Sequence, residues 1–171
     1  MFVRPTFALA TAAAAVGGLL ALSGCTSDPN LVGQMGVTAN SKGQAVLVLA
    51  TCGGEIDDVT LGFLPVGKQN RSGQIGEWKR SSKVTGTSRL DITAPADGWD
   101  GPTQTLQPAP YYIASASSTK NGSDALNDMT FRGRQIKKLD PSKVYVNSDN
   151  PDSDKLIPHS ADSFHAWACS R

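Results

Sequence analysis

Residues 7–22 run without one charged side chain, built from Ala, Leu, Val, Gly, Phe and Thr, just behind Arg4. A run of this kind is either a membrane element or a segment removed before the domain folds. As a helix it spans about 24 Å at ~1.5 Å per residue. That is short of the ~30 Å hydrocarbon core of a bilayer. Gly17 and Gly18 weaken the helix further. A positive start, an apolar run and then small residues make a secretory signal, with an uncleaved anchor as the alternative. Whatever folds into a domain is therefore confined to the chain after residue 24.

The run ends in Leu22-Ser23-Gly24-Cys25. This order of aliphatic, small, small and cysteine resembles the lipobox of bacterial lipoproteins. The resemblance implies a diacylglyceryl thioether on Cys25, signal cleavage between Gly24 and Cys25, and a chain held on the extracytoplasmic face of the cell membrane. Each buried methylene contributes ~0.8 kcal/mol, so two acyl chains hold firmly where one holds marginally. Residues 26–33, TSDPNLVG, read as a tether. Eight extended residues reach roughly 27 Å at ~3.4 Å each, so the domain, expected over residues 34–171, sits near the lipid.

The chain has 16 basic and 15 acidic residues. Loss of Arg4 leaves the mature chain neutral, which removes the electrostatic case for nucleic acid. Glu55 and Glu77 are the only glutamates, and Gly, Ser, Thr and Asp are plentiful. That composition disfavours helices and suits a sheet with many turns. Strands are expected at 35–39, 45–50, 59–66, 78–84, 87–93, 111–118, 129–134 and 143–147, with a turn at 40–43 and an irregular proline-rich segment at 94–110. AVLVLA at 45–50 reads as a strand buried on both faces. Spacing of this kind points to an antiparallel β-sandwich.

Leu139-Asp140-Pro141-Ser142-Lys143-Val144-Tyr145 resembles the corner of fibronectin type III domains. The resemblance implies an immunoglobulin-like sandwich in which Leu139 packs, Pro141 stiffens the turn and the Tyr145 hydroxyl bonds back to it. A hairpin with Tyr145 on the core face is the alternative. Near the end, Phe164, Trp167 and Ala168 share a face at helical spacing, and Ser160 is placed to cap a short C-terminal helix. A strand aligning Phe164, Ala166 and Ala168 competes with it.

With Cys25 lipidated, Cys52 and Cys169 remain, an even number for an oxidising compartment. A disulfide between them would tie the tail to the core. Two free thiols in a metal or catalytic site are the alternative.

Other chemistry is sparse. His159 and His165 are the only histidines, and their spacing does not suit zinc. Asp149, Asp152 and Asp154, and separately Asp97 and Asp100, begin calcium-like patterns that lack the closing residues. Glu55, Asp57 and Asp58 fall in an expected turn after Cys52 and are candidate acid–base groups. Arg132, Arg134, Lys137 and Lys138 form one basic patch, and Lys79, Arg80 and Lys83 a second. Trp78, Trp99, Tyr111 and Tyr112 would form a contact surface if exposed and core if not. No phosphate-binding glycine loop, nucleotide fingerprint or haem motif occurs, so no cofactor is expected.

The lipobox, the Ala-rich signal, the Val-Leu-Val-Leu strand ending in cysteine and the Leu-x-Pro turn together resemble small surface lipoproteins of actinobacteria. Two functions follow as expectations. One is a non-catalytic binding or accessory module of the cell envelope, holding a protein, peptide or wall polymer. The other is a small envelope enzyme acting on cell-wall material through acids among Glu55, Asp57, Asp58, Asp97 and Asp100.

Overall fold

The computed structural model describes residues 29–64, 73–120, 122–150 and 153–171. The chain runs β1 (Asn30–Ala39), β2 (Ala45–Leu64), β3 (Gly73–Asp91), β4 (Trp99–Asp100), β5 (Tyr111–Ser117), β6 (Asp124–Asn127), β7 (Met129–Arg132), α1 (Gly133–Ile136), β8 (Lys143–Asn147), β9 (Leu156–Ser160) and α2 (Phe164–Ala168). The protein is mainly β, as its composition predicts. Gly24 and Cys25, with the expected signal, lie outside the described residues. Among the described residues no helix is long and apolar enough to cross a membrane.

The strands form one sheet ordered β4-β3-β2-β5-β6-β1-β8-β9, with β7 also on β5 and β1 also on β2. β1 and β6 pair in parallel, Leu31 facing Ala125. The sheet is therefore mixed, which corrects the wholly antiparallel expectation. A hairpin forces antiparallel pairing, but β1 and β6 are joined by a long excursion of chain, which leaves either direction open.

β2 organises the sheet. Along one edge it pairs with β3 from Val46 to Phe63. Its other edge serves β1 as far as Thr51 and β5 from Asp58 onward. Between these stretches the ladder with β3 shifts register, and Gly53 stands at φ 113°. A bulge bends a strand without ending it. The turn expected at Glu55, Asp57 and Asp58 is thus a bent part of β2.

Burial follows the predicted pattern. Leu47 and Leu49 enter the main core with Val59, Leu61, Trp78, Leu90, Met129 and Phe131. Val48 and Ala50, on the opposite face of the same strand, join Val144, Val146, Phe164 and Ala168 in a second cluster. Helix α2 lies over this second face, as the spacing of Phe164, Trp167 and Ala168 predicts. Full burial of a side chain like Phe164 contributes about 1.5–3 kcal/mol. Ser160 is not its cap: it ends β9, and Ser163 holds the N-cap position.

Two turns carry side-chain contacts, and at the first both readings of Tyr145 find a counterpart, since β8 forms a hairpin with β9 and Tyr145 packs against the main core. The Tyr145 hydroxyl accepts a hydrogen bond from the Asp140 N–H at 3.1 Å. At the turn after β1, Asn40 Oδ1 accepts from the backbone of Lys42 and Gln44 at 2.9 and 3.0 Å. Part of the segment expected as a tether lies in β1. The Asn30 N–H donates to the Ser123 carbonyl at 2.6 Å and its Nδ2 to Asp124 at 3.1 Å. Pairing with β6 draws residues 30–33 into the sheet, so the first strand begins at Asn30 rather than at the expected residue 35.

Candidate functional site

Cys52 and Cys169 are joined in a disulfide, with Cα atoms 5.3 Å apart. The bond fastens the end of α2 to the bend of β2. In front of it lies a hollow of about 520 Å³ lined by the start of β1, Gly53, Gly54, Asn127 and Arg171. A second hollow of about 420 Å³ adjoins it through the shared Gln34, Asn127 and Arg171, and is walled by Asn147, Asp149 and Trp167. Together they form a groove between β1–β6 and the C-terminal segment. Gln34 and Asn127 face each other across the parallel ladder. Arg171 reaches Asp149 at 3.1 Å and lies 5.3 Å from the Trp167 ring.

Both histidines belong to this end of the molecule, and neither is a free surface group. The His159 ring lies 3.9 Å from that of Trp167. Burial lowers its affinity for a proton, and the charge of Arg171 adds to the effect. His165 Nε2 sits 3.1 Å from the Thr51 carbonyl and 3.6 Å from Cys169 Sγ.

The acidic candidates separate. Glu55 forms an ion pair with Lys83. Asp57 accepts two hydrogen bonds from Thr119, at 2.7 and 3.0 Å. Asp58 is buried, and its Oδ1 has no hydrogen-bond partner among the described residues. Burial pushes its carboxyl up, and the nearby Glu77 charge adds to that, while Lys79 partly offsets it. Lys79 stands 2.7 Å from Glu77, and its hydrogen bond and charge hold that carboxyl below the usual range. Two neighbouring carboxyls are thus pushed in opposite directions.

The calcium-like loops do not assemble. Asp149 pairs with Arg171, while Asp154 accepts from Tyr111 at 3.0 Å and from Arg132 at 3.2 Å. Asp152 lies outside the described residues. Asp97 and Asp100 are exposed on either side of the buried Trp99, and Asp97 holds φ 57°. Among the described residues no group of three His, Cys, Asp or Glu is placed to hold a metal ion.

Of the aromatics, Trp78, Trp99 and Tyr112 are core. Trp78 Nε1 donates to the Pro102 carbonyl at 2.9 Å. Tyr111 stays at the surface under the Arg132 guanidinium, 3.7 Å from its ring. Arg132 is therefore engaged, not part of a free basic patch.

Sequence reasoning did not find Gln34, Asn127, Asn147 and Arg171. No motif marks them, because the groove arises only when β1 meets β6 and the tail folds back. Comparison with protein-family models, with curated proteins and with solved structures found no match to this chain.

Proposed function

We propose that this chain is a lipid-anchored lipoprotein on the extracytoplasmic face of the cell membrane, serving as a binding or accessory module of the envelope. Its groove between β1–β6 and the tail holds a protein, peptide or wall-polymer partner. The observation that carries this reading is the groove lining: carboxamides at Gln34 and Asn127, with the Arg171–Asp149 pair and the edge of Trp167. A few fixed polar groups on a concave surface suit recognition of a polar ligand. The Cys52–Cys169 bond supports the export reading, since disulfides persist outside the reducing cytosol. The Tyr145 contact at Asp140 supports the kinship with immunoglobulin-like sandwiches.

Two measurements test it. Cys25→Ala should leave the membrane fraction on cell fractionation, and normal retention of the variant contradicts the anchor. A photo-crosslinker at Gln34 on intact cells should capture a defined partner that the same probe at Leu64, an exposed position on β2, does not. Equal capture at both positions counts against the groove.

A second reading, an envelope enzyme acting on wall material, is favoured by the opposed carboxyls Asp58 and Glu77. Groups pushed apart in this way suit acid and base roles. Turnover of isolated wall material that Asp58→Asn abolishes would favour it over the binding module.

A further inference from the structure

Both half-cystines are exposed, although Cys52 continues a strand that is buried from Ala45 to Thr51. Structural disulfides in exported domains are commonly shielded from thiols, and exposed ones are the labile members of the class. Access to this one is open. The Gly53 backbone beside Cys52 has nothing within 4 Å of where a Cβ would stand. The hollow of about 520 Å³ is lined by both cysteines. The surroundings are also asymmetric, because His165 Nε2 is 3.6 Å from the sulfur of Cys169 and belongs to the same helix.

We propose that the Cys52–Cys169 bond is a thiol–disulfide exchange site for a thiol-bearing reactant that enters from the hollow, with His165 positioned on the leaving sulfur. The reactant thiolate attacks Cys52 Sγ, the sulfur beside the open Gly53 backbone and away from His165. A new bond forms between the reactant sulfur and Cys52, and the Cys52–Cys169 bond breaks. Its electron pair passes to Cys169 Sγ, where the His165 Nε2–H, which also faces the Thr51 carbonyl, donates a hydrogen bond to the new thiolate until solvent protonates it. A second thiol then attacks the mixed disulfide, leaving Cys52 as a thiol. In sum, two thiols of the reactant are oxidised to a disulfide and the protein bond is reduced to two thiols. A better leaving thiol departs faster, which gives His165 its role as a positioning residue. Reduction also frees the end of α2 from β2, and so loosens one wall of the groove.

The test uses the full chain with its bond intact, in reduced glutathione without denaturant, followed by acid quench, alkylation and peptide mass mapping. The expected product carries glutathione on Cys52 and the alkyl group on Cys169. His165→Gln should slow adduct formation, by about threefold for each unit of added leaving-thiol basicity at a Brønsted coefficient of ~0.5, and should change its pH profile. The mapping on the unaltered chain stands whether or not that variant folds. Glutathione on Cys169 overturns the assigned direction, and an unchanged rate and pH profile in His165→Gln remove its role. A bond that reacts only after denaturant is added overturns the site.

Discussion

Asn147 completes the hydrogen bonding of Thr130 with its side chain. Its Oδ1 accepts from the Thr130 N–H at 2.9 Å, and its Nδ2 donates to the Thr130 carbonyl at 2.6 Å. A side chain thereby does what a neighbouring strand would do, and it links β8 to the outer edge of β7. Asn147→Ala leaves a part-buried amide and carbonyl without their partners. Such losses cost about 1–3 kcal/mol. Urea denaturation should show a shift of that size, and an unchanged midpoint would mean that water replaces the contact.

The disulfide closes a loop with a sequence separation of 117 residues. Chain entropy then predicts a contribution of about 5 kcal/mol, before any native-state relaxation. A chain carrying both Cys52→Ser and Cys169→Ser should lose stability on that scale. Its earliest loss of hydrogen-exchange protection should fall in α2, since without the covalent pin only the packing of Phe164 and Ala168 holds the helix on β2. Uniform loss across the sheet would show that the bond acts on the whole domain.

Stability should respond to pH in opposite directions at Asp58 and Asp91. The Asp58 carboxyl is pushed up by burial and by Glu77. In the range between its unfolded and folded values the native state holds the extra proton, so its contribution to stability declines as pH rises. Asp58→Asn should therefore stabilise the protein at neutral pH, with the gain vanishing in acid. Burial also pushes Asp91 up, but hydrogen bonds from Asn40 and Thr93 outweigh it and hold the group low. Its contribution is present above the unfolded value and is lost as pH falls through the folded one. Asp91→Asn should be destabilising at neutral pH and harmless in strong acid. Thermal melts of both variants across the acid range measure this, and parallel curves for the two would contradict it.

Gly36 leaves room for α2. A Cβ there would stand 2.4 Å from Val144 Cγ1 and 3.3 Å from Phe164 Cζ. Gly36→Val should displace Val144 on β8 and, through it, the α2 seat, at a cost of about 1–3 kcal/mol, the usual range for overpacking. Altered Trp167 fluorescence with the β-sheet signal intact is the expected result, and a variant with native Trp167 emission would refute the seating described.

Much of the sheet is legible in the residues, for reasons that differ by element. β8 and the 45–50 segment carry unbroken apolar periodicity. The Asn40 turn carries its own acceptor. The tail helix shows in three residues spaced on one face. The bend of β2 misleads because Gly53, Gly54, Asp57 and Asp58 are turn-forming residues, yet pairing with β3 and β5 carries the strand past them. β6 and β9 are short and mixed in polarity, and only their neighbours make them strands. Asp58 is legible as a candidate acid and Glu77 is not, because their opposed environments depend on a cross-strand register that no local pattern records. The groove is less legible still, since Gln34 and Asn127 meet only through a parallel pairing.

That pairing also orders events during synthesis. β1 is among the first parts of the domain to be made, yet Asn30 bonds to Asp124, a sequence separation of 94 residues. Val37 waits still longer for Tyr145. Contacts of this range form slowly, because the intervening chain must be closed first. One edge of the leading strand therefore stays without its final neighbours until nearly the whole polypeptide has emerged, which is the interval in which a protease or a chaperone would find it.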